Sequence, residues 1–461
     1  MLKPPTFTRT LPALVGLLIL SACGGGGGDA GSITPTDSAR ASAQASTGTV
    51  TGFGSVIVDG TEIDDSSATV CTEDISGTDC TASTKLQLGQ RVNVRHHASG
   101  AASTITVAAG VIGLVSDKTS TSLTVAGQRV TVNTDATAGP LTAFGGTTAA
   151  GVAVTSLDDI ANNDTVAVHG TPVYNTALGA YEVAATRIEA KSAINHVRLL
   201  GKVTGLTSSN FTLNGVTIDI KNTTVAPTGT ALAEGQSVIV FVQAANGVVT
   251  PTTQVWPAQR ILVLHRDVGA QGSLAAFGGT VSQCGATTGT ASTCTTFEVG
   301  GLTVDASSAK ITPTGATVQA GAYVRLAGTM NTNGSVLATH VHVRQANTDD
   351  DLARVRLLGT IDSVDTTDSK LIVVRGVPVD TTGATQKSCP STGWVAGGFV
   401  DVKAQAQAGT DVVLASTVRC GTLAEAIVHR NQGHDGSADA YKPTTPRSEV
   451  KGWGKYLKRQ R

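Results

Sequence analysis

The chain is poor in large side chains. Aromatic residues make up 3% of it, with 2 methionines and 3 tryptophans. A core built on large rings is out of reach, so any core must be small and made of Val, Ile and Leu. Charged residues are also few, at 15%, and they balance to a formal net charge of −1. The molecule as a whole therefore has no electrostatic basis for holding nucleic acid or another acidic surface. No Gly-x-Ser-x-Gly elbow, Walker A loop or His-Glu-x-x-His motif occurs, and no Cys-x2-Cys pair points to zinc. No cofactor is expected and no catalytic residue stands out. What the chain does have is 53 glycines among β-branched Val and Thr, the makings of many short strands joined by tight turns. Its 461 residues leave room for three or more domains.

Apolar runs are short too. Leu11–Leu20 is too brief to cross a hydrocarbon core of ~30 Å. With Lys3 and Arg9 before it, it reads as an export signal spanning residues 1–22. Leu20-Ser21-Ala22-Cys23 resembles the lipobox of bacterial lipoproteins. That resemblance implies cleavage before Cys23, with palmitate-type chains on its sulfur-linked diacylglycerol and on its amine. Two or more such chains give stable membrane anchoring where one would not. An ordinary secretory signal with a chance cysteine is the alternative. Residues 23–47, with Gly24–Gly28 and a Ser/Thr/Ala stretch, read as a flexible tether with a reach of roughly 27 Å. No aspartate of the inner-membrane retention type follows Cys23. By family analogy the outer membrane is the expected destination, facing the periplasm or the surface.

Of 7 cysteines, assigning Cys23 to lipid leaves Cys71, Cys80, Cys284, Cys294, Cys389 and Cys420. An even set in an exported protein reads as disulfides. Proximity favours 71–80, 284–294 and 389–420, although sequence alone admits other pairings.

A Gly-x-Val/Ile start recurs at Gly48-Thr49-Val50, Gly113-Leu114-Val115, Gly201-Lys202-Val203, Gly279-Thr280-Val281 and Gly359-Thr360-Ile361. Downstream lies an x-Gly pair between alternating runs: Asp59-Gly60, Ala126-Gly127, Asn214-Gly215, Gly300-Gly301 and Arg375-Gly376. Such pairs suit a tight hairpin turn with φ > 0 at both central positions. Next comes a turn and a third strand, begun by Gly89-Gln90, Gly235-Gln236, Gly321-Ala322 and Gly397-Gly398, with Asn163-Asp164 in the second copy. An Ala-Thr-x-Ile/Val strand closes the unit, as in Ala185-Thr186-Arg187-Ile188. The pentapeptide Val-Arg-Leu-Leu-Gly appears twice, at Val197–Gly201 and Val355–Gly359, each entering a first strand.

The fold class expected from this order is all-β: a tandem array of about five small OB-like β-barrel domains, with an open sandwich as the alternative. Closure would remove the exposed edges of a five-stranded sheet. The expected β-domains are 48–107, 108–193, 194–267, 268–348 and 352–428, followed by a linker and basic tail at 429–461. Short junctions predict a semi-rigid string. The runs Gly48–Gly60 and Gly201–Gly215, with the Gly-Gln-x-Val strands and Ala-Thr-x-Ile ends, resemble the bacterial family called domain of unknown function 5666, which occurs as repeats in exported proteins. The resemblance covers roughly Gly48 to Val418, is weaker in copies two, four and five, and implies no activity.

Other polar clusters have plain readings. His340-Val341-His342 puts two imidazoles on one strand face without a third ligand, and His96-His97 points to opposite faces. Asp349-Asp350-Asp351 lacks calcium-loop spacing, and Asp64-Asp65 and Asp158-Asp159 suit turns or caps. Phe211, Trp256 and Trp394 are isolated and suit small cores better than a stacking platform. The tail from Lys451 to Arg461 carries five cations and no acid; if helical, it would place Trp453, Tyr456 and Leu457 on one face. It suits an anionic lipid or another envelope polyanion.

The expected function is therefore a non-enzymatic spacer or interaction scaffold of the cell envelope. A binding protein for a small molecule, ion or glycan is the alternative. The anchor is directly testable. Wild-type protein should partition with membranes into detergent, and Cys23→Ala should leave unprocessed or soluble protein. Equal membrane association of the variant in high salt would overturn the lipid anchor.

Overall fold

A computed structural model describes residues 45–422, apart from 82–83, 98–99, 137, 245–254, 265–272, 289–292, 332 and 345–353. The signal segment, Cys23, most of the tether, Asp349–Asp351 and the basic tail lie outside the described residues. Among the described residues no helix is long and apolar enough to cross a membrane.

The described chain is built of strands with a single 3-10 turn, Leu157–Asp159. Five times, the strands close into the same ring. In barrel one the first strand is Ala45–Phe53, the second Val56–Val58, the third Thr61–Ile63 continued by Thr69–Asp74, the fourth Arg91–His96 and the fifth Ala102–Val107. Strand one pairs antiparallel with two and four, two with three, and four with five, while five returns parallel to three. The order 1-2-3-5-4-1 is that of an OB barrel. Barrels two, four and five repeat every one of these pairings. In barrel three, strands one and two meet through a single bridge, Thr204 to Thr212, and the remaining contacts are kept. The first strand begins at Ala45, so the last three residues assigned to the tether belong to barrel one.

The recurring motifs are parts of one local device. Both residues of every x-Gly pair have φ > 0, from Asp59 at +47° and Gly60 at +76° to Arg375 at +54° and Gly376 at +77°. In barrels one, two, three and five the turn lays residue x over the motif glycine within strand one. A Cβ at Gly113 would sit 2.7 Å from the Ala126 Cβ, one at Gly201 3.0 Å from the Asn214 amide, and one at Gly359 2.9 Å from the Arg375 side chain. In barrel one it would overlap the Asp59 carboxylate. The Val or Ile two residues later exchanges two backbone bonds with the turn into strand four. Val50 N–H donates to Gln90 O and Gly89 N–H to Val50 O, at 2.9 and 2.8 Å. Asn163, at φ +74°, makes the same bond to Val115 O at 2.8 Å, which explains how copy two does without glycine there. The hydroxyl residue of the closing strand sits at a β-bulge. Ser103, Thr339 and Ser416 each donate to a carbonyl of strand four, at 3.0 to 3.1 Å.

Both Val-Arg-Leu-Leu-Gly segments are first strands buried on two faces. In barrel three, Val197 and Leu199 fill its own core. On the other face Leu200 joins the core of barrel two and Arg198 is fully buried against Glu73 of barrel one. In barrel five, Val355 and Leu357 lie in a core shared with barrel one.

The barrels do not form a simple string. The first strand of barrel one runs parallel to Leu274–Thr288 of barrel four through Ala45–Thr47, and to Arg354–Val364 of barrel five through Gly52 and Phe53. It thus connects barrels that are remote in sequence. The cysteines pair as proximity suggested, with Cα–Cα distances of 4.1 Å for Cys71–Cys80, 5.4 Å for Cys284–Cys294 and 4.8 Å for Cys389–Cys420. The polar insert of barrel one is a small hairpin closed by its disulfide. The insert of barrel four lengthens strands one and two.

Two glycines separate these constraints. Gly215 faces open space at φ +85°, so Gly215→Ala should cost about 1–2 kcal/mol from the left-handed backbone alone. Gly48→Ala must also displace Asp59 and Val58 and should cost ~3 kcal/mol or more. Urea unfolding with disulfides intact measures both, and equal costs would count against the packing of residue x over the strand-one glycine.

Candidate functional site

Barrel one is where polar groups converge. Many of its outward side chains lie against neighbouring barrels, so each polar group buried there needs a partner. On the side of barrel four, Asp59 is fully buried. Its Oδ1 accepts from the Thr49 amide at 3.1 Å and from the Tyr323 hydroxyl at 2.6 Å, while Arg325 donates to the Asp59 carbonyl at 3.1 Å. Burial, with the nearby Asp59 carboxylate adding to it, pushes the Tyr323 phenol far above its ordinary value, so this hydroxyl keeps its proton and donates. Gly278 of barrel four lies so close that a Cβ would overlap the Asp59 carboxylate. The Arg91 guanidinium bridges the barrels, donating to Gly278 O at 2.8 Å and to Thr49 Oγ1 at 3.3 Å.

On the side of barrel two, the Gln87–Arg91 segment meets strands four and five. Glu189 accepts from Gln90 at 2.8 Å, Arg187 at 2.6 Å and Lys191 at 2.8 Å. Burial pushes this carboxyl up, but the Arg187 and Lys191 charges and the Lys191 hydrogen bond outweigh it and hold Glu189 ionised. Arg187 also donates to Leu88 O at 3.1 Å and to the Gln87 side chain, and Thr186 to Gly89 O at 2.6 Å. His169 is buried, and its Nδ1 lies 3.3 Å from the Arg91 amide as an acceptor. On the side of barrel three, Arg198 pairs with Glu73 and Arg260 donates to Asp74 O at 2.8 Å. Both guanidinium groups lie 4.9 Å from the Phe241 ring.

A cleft of about 70 Å³ opens where barrels one, two and five meet. Its walls include Val50 and Leu88 of barrel one, Leu141 and Phe144 of barrel two, and Val377 and Val413 of barrel five; Arg187 and Asp411 are its charged groups. Asp411 belongs to the loop between strands four and five of barrel five. Its amide donates to Thr155 O at 3.1 Å, and its Oδ1 is buried without a hydrogen-bond partner. Burial raises the pKa of this carboxyl above the usual carboxylate value, partly offset by the Arg187 charge.

The residues singled out from sequence fall elsewhere. His342 is buried beside Thr312 at 3.0 Å, and His340 lies 3.1 Å from Thr339. Among the described residues no group of acidic, His or Cys side chains could hold a metal ion. His96 is half-buried between Ser46 and Gly100 O, each at 2.9 Å. Asp159 closes the turn at Thr155 and Ser156 with bonds of 2.9 Å, as a capping residue should. Asp64 accepts from the Ser66 amide at 3.0 Å. Phe211 and Trp256 fill the core of barrel three, and Trp394 packs against the core shared by barrels one and five.

The buried charges at the junctions had one visible signal. Val-Arg-Leu occurs at Val197–Leu199, Val324–Leu326 and Val355–Leu357, an arginine flanked by apolar residues within a strand. Arg198 and Arg325 are buried, and Arg356 forms a two-pronged pair with Asp401 at 3.0 and 2.6 Å.

Three segments, 201–252, 279–342 and 359–419, match a family model described as a domain of unknown function (DUF5666). They fall in barrels three, four and five. Barrel one, whose Gly48–Gly60 run carries the motif in full, lies outside the matched segments yet has the same ring. No curated protein matches. A solved structure of drosophila Unr CSD456 aligns with 49% of this chain and 97% of its own, at 13% identity and a TM-score of 0.12.

Burial lowers the pKa of His169 from its ordinary 6.5 to about 4, with the Glu189 charge opposing and those of Arg187, Lys191 and Arg198 assisting. The unfolded chain binds this proton below pH 6.5 and the folded chain does not until about pH 4. Stability should therefore fall as pH drops through that window, by about 3 kcal/mol at its lower end. Burial also lowers His96 and His196, which adds in the same direction. Unfolding free energies measured from pH 7 to 4 should show the slope, and His169→Gln should flatten it. An unchanged slope would remove His169 from this role.

Proposed function

We propose that this chain, whose three carboxyl-terminal barrels are DUF5666 domains, is a non-enzymatic scaffold of the bacterial cell envelope. Acyl chains on Cys23 hold it to the membrane, with the outer membrane as its destination, and the five barrels are presented as one block. The observation that carries this reading is the covering of barrel one. OB barrels commonly bind ligands over strands two and three. In barrel one, Val56, Val58 and Ile63 point into the core, while the outward Ile57 and the turn residue Asp59 are also buried and Glu62 is half-buried, so that face is largely spent on neighbouring barrels. Buried ion pairs such as Arg198–Glu73 reinforce the block, because removing one partner strands the other charge at a cost of about 3–5 kcal/mol. A partner in the envelope, either a protein or a polyanion met by the cationic tail, would complete the role; nucleic acid is not expected. The binding-protein reading keeps support from one feature, the cleft beside Asp411.

The block is testable by spin-label distances in the full chain, with labels introduced as non-natural residues at exposed Thr207 and Thr367. One narrow distance distribution is expected between barrels three and five, broadened by Glu73→Ala, which leaves Arg198 unpaired at the junction of barrels one and three. A broad distribution in the wild type would sink the rigid scaffold.

A further inference from the structure

We infer that the cleft between barrels one, two and five is a binding site for one end of a small neutral molecule, one with a hydroxyl donor on an apolar body. The argument starts from what the cleft leaves unsatisfied. Val50, Leu88, Phe144, Val377 and Val413 give it apolar walls. Of its two charged groups, Arg187 is held by Glu189, Leu88 O and Gln87, so its guanidinium is largely committed to the barrel one–barrel two junction. Asp411 is different. Its Oδ1 is buried without a hydrogen-bond partner, and a buried acceptor of this kind gains from a donor brought to it. The Arg187 charge nearby disfavours a cation there, and the Asp411 carboxyl disfavours an anion. A neutral O–H satisfies both conditions. About 70 Å³ of space admits a small ring or a short chain, and exposed Gln407 and Gly376 at the rim leave room for the rest of a larger molecule. The loop that carries Asp411 joins strands four and five of barrel five, one of the loops through which OB barrels meet ligands.

The test uses the full chain and 4-fluorobenzyl alcohol as the probe, with 4-fluorotoluene as the probe without a donor, followed by fluorine NMR. The alcohol should bind saturably and more tightly than the toluene. Asp411→Leu should weaken the alcohol roughly fivefold or more, as loss of one hydrogen bond implies, and leave the toluene unchanged. In wild-type protein with labelled methyl groups, the shifts should centre on Leu88, Val377 and Val413, a readout independent of how the variant folds. Absence of saturable binding, shifts centred elsewhere, or equal affinity of the two probes for wild type would each overturn the proposal.

Discussion

The first strand of barrel one, Ala45–Phe53, is buried along its whole length. A strand in a small closed barrel has one face in the core and one outside, so burial on both sides means that other barrels supply the second environment. Barrels four and five do so by pairing backbone to backbone with this strand. The consequences spread outward. The Thr49 hydroxyl and Asp59 Oδ1 must find partners within the junction, and they do, in Arg91 and Tyr323. Gly48 and Gly278 must lack side chains because the Asp59 carboxylate occupies the space between them.

This constraint also orders the electrostatics. Buried charge is costly unless it is paired and hydrogen-bonded. The junctions of barrel one accordingly pair their charges: Glu189 with Gln90, Arg187 and Lys191, and Arg198 with Glu73. His169 enters as a neutral acceptor. The junctions are therefore sensitive to acid where the barrel cores of Val, Ile and Leu are not. The cleft beside Asp411 differs in that its unpartnered carboxylate oxygen borders open space.

The Gly-x-Val start, the x-Gly turn and the Gly-x entry to strand four were legible as separate repeats. Together they form one close approach, in which the turn residue rests on the strand-one glycine and a pair of backbone bonds holds strand four. A left-handed turn can be read locally because few residues adopt it, and the recurrence of the pattern at Ala126-Gly127 and Arg375-Gly376 shows that position outweighs residue type. The disulfides were legible for a similar reason, since each pair lies within one barrel and joins neighbouring strands.

By itself, then, the sequence determined the barrel: its alternation, its turn glycines and its bulge hydroxyls act over a few residues and repeat. Tertiary structure decided how the barrels meet. Tyr323 reaches Asp59 across 264 residues of chain, and Arg198 reaches Glu73 across 125. Val-Arg-Leu reads the same whether its arginine faces water or a neighbouring barrel. The physical reason is that strand periodicity records which side chains leave the barrel core, whereas what lies outside the barrel depends on surfaces brought together only when all five have folded.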